Sequence, residues 1–83
     1  MSRTALVTGG SRGIGAAISV ALSNAGYQVA ATYAGNDAAA AAFTEQTGIK
    51  TFKWNVAEYD ECAAGISKVE AEIGPVDILV NNA

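Results

Sequence analysis

The chain reads as an α/β protein, the N-terminal half of a doubly wound parallel sheet with strand order 3-2-1-4. Three observations predict this. Short apolar runs alternate with longer segments of helical periodicity in the order β-α-β-α-β-α-β, which calls for parallel strands joined by helical crossovers. A glycine-rich turn, Thr8-Gly9-Gly10-Ser11-Arg12-Gly13-Ile14-Gly15, joins the first apolar run to the first helix. Hydrophobic residues make up 51% of the 83 positions and charged residues only 16%, the balance of a sheet covered on both faces and not of a disordered chain.

Each element has its own signal. Arg3 to Val7 is the first strand. Ile14, Ala17, Ile18, Ala21, Leu22 and Ala25 recur at helical spacing and form one apolar stripe, closed by Gly26. Gln28 to Tyr33 is the second strand. Asp37 is placed to cap the alanine-rich helix Ala38 to Gln46, whose one large apolar anchor is Phe43 and which Gly48 ends. Ile49 to Trp54 is the third strand. Glu58, Asp60 and Glu61 crowd the first turn of the next helix, where carboxylates suit the helix dipole. Cys62, Ile66, Val69 and Ile73 line one face of that helix, and Gly74-Pro75 stops it. Val76 to Val80 is the fourth strand. Right-handed crossovers let strands one, two and three step outward on one side, and a helix on the opposite face returns the chain beside strand one. Ligands in such sheets sit at the carboxyl ends of the strands where the order reverses, here between strands one and four. The glycine turn and Asn81-Asn82-Ala83 both fall at that crevice.

The glycine turn carries the chemistry. Gly9 can take a positive φ as the chain leaves the strand. Gly13 and Gly15 have no Cβ, so a phosphate can approach the backbone and the helix can sit close to the strand. The free N–H groups of the first helical turn then face the ligand, which suits the pyrophosphate of a dinucleotide. The spacing is G-x-x-x-G-x-G. A phosphate loop of the G-x-x-x-x-G-K-[ST] type is excluded, because Ala16 stands where its lysine must be. Arg12 inside the turn is either a solvated loop residue or a guanidinium for the 2′-phosphate of NADP. The second strand favours the phosphate. An NAD site ends that strand in an acid that bonds the ribose, and here Tyr33 holds the position. Asp37 lies several residues too late. Asn55-Val56 fits two readings, an amide and an apolar wall against adenine, or a plain turn. Trp54 beside it belongs to sheet packing.

Other classes are excluded or unsupported. A net charge of −3 leaves no basic footprint for nucleic acid. One cysteine and no histidine give neither a disulfide framework nor a zinc site, and fit a reducing cytoplasm. The N-terminal apolar run is too short for a signal peptide or a membrane span. The ending at Asn81-Asn82-Ala83, with no capping helix, reads as a cut in a longer protein. No group looks catalytic: Tyr27, Tyr33 and Tyr59 have no lysine four residues later, and Cys62 sits on an apolar face.

Taken together, Thr8-Gly9-x-x-x-Gly13-x-Gly15, Asn55-Val56 and Asn81-Asn82-Ala83 resemble the short-chain dehydrogenase/reductase family along the full chain. The family's adenine-side motif usually opens with Asp, where this chain has Asn55, and its Asn-Asn-Ala-Gly motif stops one residue short here. The resemblance implies a Rossmann-type, NADP-binding domain. Gly9, Ser11, Gly13, Ile14 and Gly15 would hold the pyrophosphate, Arg12 and Tyr33 would meet the adenosine ribose and its phosphate, Asn55 and Val56 the adenine, and Asn82 and Ala83 the nicotinamide-side ribose. The family's catalytic Asn, Ser, Tyr and Lys would all lie beyond Ala83. The stretches Phe52 to Val56 and Gly74 to Val80 are similar to family members that reduce acetoacetyl-CoA with NADPH for polyhydroxyalkanoate synthesis. Because no catalytic group is present, a non-catalytic nucleotide-binding module is a second class of reading; among reductases, the 3-oxoacyl-carrier-protein enzymes of fatty-acid synthesis are the alternative. Either way the resemblance implies a small acyl thioester substrate and a cytoplasmic homotetramer.

Overall fold

A computed structural model gives the fold, and it describes residues 3–82. The elements run β1 (Thr4–Val7), α1 (Gly13–Asn24), β2 (Gln28–Tyr33), α2 (Asp37–Thr47), β3 (Lys50–Lys53), α3 (Tyr59–Glu72) and β4 (Val76–Val80). The sheet is parallel with order β3-β2-β1-β4, as the crossover argument requires. β3 is shorter than its apolar run. The ladder with β2 spans Ala30↔Lys50 to Tyr33↔Lys53, so Ile49 and Trp54 flank the strand, although Trp54 still donates its N–H to Tyr33 O at 3.1 Å.

The two faces of the sheet carry separate cores. Val7, Val29 and Ala31 pack with Phe43 and Ile49 beneath α1 and α2. Leu6, Ala30 and Phe52 pack with Trp54 and Val69 beneath α3. The alternation of Leu6 and Val7, and of Ala30 and Ala31, between the faces follows from the two-residue period of a strand. β4 joins β1 with a register shift: Thr4 pairs with Val76, but Ala5 pairs with Ile78. Asp77 is the skipped residue, and its carboxylate accepts the Thr4 N–H at 3.0 Å in place of a ladder carbonyl.

Three expectations about faces and caps are corrected. The fully buried positions of α1 are Gly15 and Ser19; of the expected stripe, Ile18 and Leu22 pack half-buried against the core, while Ile14 is 75% exposed and Ala17, Ala21 and Ala25 are exposed. Small residues let the helix approach the backbone of the glycine turn, which the larger apolar side chains would hold away. On α3, Gly65 and not Ile66 faces inward. A Cβ on Gly65 would overlap the Trp54 ring, whereas Ile66 is 37% exposed. At α2 the cap is Asn36, whose side chain accepts the Ala39 N–H at 3.0 Å, and Asp37 is the first helical residue.

Candidate functional site

The carboxyl ends of β1, β2 and β4 are tied together by the turn that follows β1. Thr8 is the hub. Its N–H donates to Val80 O at 3.0 Å, and its hydroxyl lies 3.3 Å from both Val80 O and Asn81 Oδ1. The same hydroxyl accepts the Asn82 N–H at 2.9 Å. The Asn82 side chain donates to Gly9 O at 3.4 Å. On the other side, Gly9 N–H donates to Thr32 Oγ1 at 3.2 Å and Gly10 N–H to Thr32 O at 3.1 Å. From above, Ser19 of α1 donates its buried hydroxyl to Gly10 O at 2.9 Å. The expected meeting of the glycine turn with Asn81-Asn82 is therefore direct. Ala83 lies outside the described residues.

The glycines of the turn do different work. Gly9 and Gly13 have φ of 63° and 55°, the left-handed region that disfavours side chains. Around Gly13 a Cβ would meet nothing within 4 Å, so its face is open. At Gly15 a Cβ would overlap the Gly9 carbonyl and come within 2.6 Å of the Asn82 amide. Gly15 thus seats α1 on the turn, and Gly13 leaves space in front of the helix N-terminus. That N-terminus carries no side-chain cap among the described residues. Arg12, at the N-cap, makes no side-chain capping bond, and no acid lies in the first turn. The first backbone bond into the helix is Ala16 N–H to Arg12 O at 3.1 Å, so the preceding N–H groups, those of Gly13, Ile14 and Gly15, have no partner within the helix. Arg12 and Ile14 are exposed at this mouth, and Ser11 is buried. An open cradle with unpartnered donors and a neighbouring guanidinium fits a dinucleotide pyrophosphate.

The ends of β2 and β3 line an adjoining cleft of about 90 Å³, reached by Gly9, Tyr33, Ala34, Asn55 and Val56. Here the structure adds detail that spacing left open. Asn55 forms a turn: its Oδ1 accepts the Ala57 N–H at 3.0 Å, and its own N–H donates to Glu61 Oε1 at 3.0 Å. The carbonyl side of that amide is committed to the turn, and the cleft is met by the rest of the residue. Val56 is half-buried against the α3 core and its carbonyl accepts from the Cys62 thiol at 3.1 Å. Tyr33 donates its hydroxyl to Asp37 Oδ1 at 3.0 Å, and Lys53 Nζ stands 3.3 Å from both Asp37 oxygens. The Tyr33 hydrogen bond, then Lys53, hold the Asp37 carboxyl below its ordinary value, and the same hydrogen bond pushes the Tyr33 hydroxyl up. Thr32, Ser19 and Thr8 thus brace the glycine turn, and Lys53 pairs with Asp37. The signal for Ser19 and Thr32 was a polar residue at a position flanked by apolar ones.

A larger hollow of about 340 Å³ lies at the other end of the strands, between Ser23, Tyr27, Gly48 and Glu72. It is rimmed by the C-terminal ends of the helices, whose carbonyls and dipoles disfavour a phosphate. Among the described residues no group of histidine, cysteine and carboxylate side chains is placed to hold a metal ion. No helix of the described residues is long and apolar enough to cross a membrane.

Residues 3–83 match the short chain dehydrogenase family. The chain belongs to this family. Within it, the acetoacetyl-CoA reductase of Paracoccus denitrificans is 74% identical over all 83 residues, and that of Shinella zoogloeoides is 68% identical. A 3-oxoacyl-[acyl-carrier-protein] reductase of Staphylococcus aureus is 46% identical over 88 aligned positions. The chain spans 34% of the length of the two acetoacetyl-CoA reductases and 36% of the third enzyme. Solved structures of short-chain dehydrogenase type superpose closely. A blue fluorescent protein from a metagenomic library, in complex with NADPH, gives a TM-score of 0.88 at 35% identity over 98% of this chain and 36% of its own. A variant actinorhodin polyketide ketoreductase with NADPH gives 0.90 at 32% identity over 99% of this chain and 33% of its own.

Proposed function

We propose that this chain is the cofactor-binding part of an NADPH-dependent reductase of 3-oxoacyl thioesters. Its substrate is acetoacetyl-CoA, reduced to 3-hydroxybutyryl-CoA for polyhydroxyalkanoate synthesis. The observation that carries the cofactor half is the open cradle at the α1 N-terminus, with Arg12 beside it and a β2 end whose one nearby acid, Asp37, is already paired. When bound, NADPH supplies the hydride. Residues of this chain bind and orient it: the turn N–H groups at the pyrophosphate, Arg12 at the 2′-phosphate, Tyr33 and Ala34 beside the adenosine ribose, Val56 against adenine, and Asn82 toward the second ribose. The likeness to acetoacetyl-CoA reductases along the whole chain supports the CoA thioester. The lower but full-chain likeness to a carrier-protein reductase supports the second reading, in which the acyl group arrives on a carrier protein. The family resemblance supports a cytoplasmic homotetramer for the longer protein.

Arg12→Ala tests the cofactor assignment in the protein continued to the length of its relatives. Loss of a charge-assisted bond, about 1.5–3 kcal/mol, should weaken NADPH binding roughly ten-fold or more and leave NADH nearly untouched. Equal losses for both would show that Arg12 does not meet the 2′-phosphate. Turnover of acetoacetyl-CoA against the same acyl group on a carrier protein separates the two substrates.

A further inference from the structure

The end of β2 holds a charge arrangement that the resemblance does not describe. In an NAD site an acid at this place accepts from the ribose hydroxyls. This chain has Tyr33 there; the acid Asp37 follows four residues later, at the start of α2, and its carboxylate is engaged on both sides. Tyr33 donates to it at 3.0 Å from β2, and Lys53 Nζ stands 3.3 Å away from β3. Tyr33 and Lys53 are ladder partners, so the sheet itself places the hydroxyl and the ammonium side by side. The strand order sets Lys53 on one flank of the β2 end and the glycine turn with Arg12 on the other. An unpaired carboxylate at this place would repel a phosphate dianion and attract a ribose hydroxyl. One paired with an ammonium repels the phosphate less.

We propose that Lys53 is a positioning residue for cofactor choice: by pairing with Asp37 it removes the charge that would oppose a 2′-phosphate at the end of β2. The proposal rests on the NADPH reading above. The displaced Coulomb repulsion acts through the Asp37 carboxylate, which the Tyr33 hydroxyl and the Lys53 ammonium both face. Both partners are about half exposed or more, at 52% for the Lys53 side chain and 67% for Asp37, so the effect is modest and sensitive to salt.

Titration of NADPH and NADH into the protein at its relatives' length, with Lys53→Gln, Asp37→Asn and the double variant, tests this. Lys53→Gln should lower the NADPH-over-NADH preference by about three- to five-fold at low ionic strength, the effect shrinking as salt rises. Asp37→Asn alone should keep or raise the preference, and added to Lys53→Gln it should restore it. A preference unchanged by Lys53→Gln, or a loss that Asp37→Asn does not restore, overturns the proposal while leaving the NADPH reading intact. A wild-type protein that binds NADH as tightly as NADPH overturns both. Circular dichroism of each variant separates loss of charge from loss of fold.

Discussion

Gly13 and Gly15 are two glycines in one turn with different duties, and the difference can be measured. Gly15→Ala puts a methyl into the Gly9 carbonyl, so α1 must lift from the turn. Gly13→Ala meets no neighbour and costs only the left-handed strain, about 1–2 kcal/mol. Thermal unfolding of the full-length protein should therefore show the larger loss at Gly15. Gly13→Val should weaken NADPH binding about ten-fold or more while the sheet persists, since its side chain enters the space left for the pyrophosphate. Asp37 gives a pH signature. Its carboxyl is held below its ordinary 3.8, chiefly by Tyr33 and then by Lys53. A depressed carboxyl contributes stability above its unfolded value and loses it as pH falls through the folded one. The small stability gap between wild type and Asp37→Asn should thus be full at pH 5 and above, and close below 3.8. A gap that widened on acidification would contradict the pairing.

α1 shows how a helix can be amphipathic in an unexpected direction. Its apolar residues recur at helical spacing, yet the fully buried line runs through Gly15 and Ser19. Ser19 reaches back to Gly10 O, and a Cβ on Gly10 would come within 2.8 Å of that hydroxyl, so serine and glycine are fitted to each other. Ser19→Ala leaves a buried carbonyl without this donor, a loss of about 1–3 kcal/mol. A melting temperature lowered by several degrees, with weaker NADPH binding through a loosened turn, is the expected result. Unchanged binding and stability would mean that water replaces the hydroxyl. α3 follows the same logic with Gly65, which lets the helix rest on the Trp54 ring.

β4 sets the behaviour of the whole. It lies at the sheet edge, and its outer backbone has no strand beside it among the described residues. Leu79, paired with Leu6 on the α3 side, is 61% exposed, and Ile66 on α3 is 37% exposed. An apolar edge of this kind invites pairing with another chain, and at this size a domain buries only about 60–65% of its unfolded surface. The 83 residues alone should therefore aggregate or form a molten species, and show no reductase activity. Size-exclusion chromatography with thermal unfolding checks the first point. A soluble monomer with a cooperative transition would favour a self-contained nucleotide-binding module.

The order of elements, the parallel sheet, the strand order and the glycine turn were all legible from residues in a line. Hydrophobic period, turn chemistry and crossover handedness are local or chiral rules, and they act the same way in any chain. Tertiary structure decided matters of close approach and of competing partners. Gly65, not Ile66, faces Trp54 because the volume of the ring just after β3 leaves no space for a larger side chain. Asn36 and Asp37 could both cap α2, and the choice follows from Tyr33 and Lys53, which claim the carboxylate from two strands. Asn55 could face a ligand or close a turn, and the turn takes its carbonyl because Ala57 N–H lies within 3.0 Å. A side chain with several possible partners is settled by which of them the fold brings within hydrogen-bond reach, and that distance is not written in the spacing of residues.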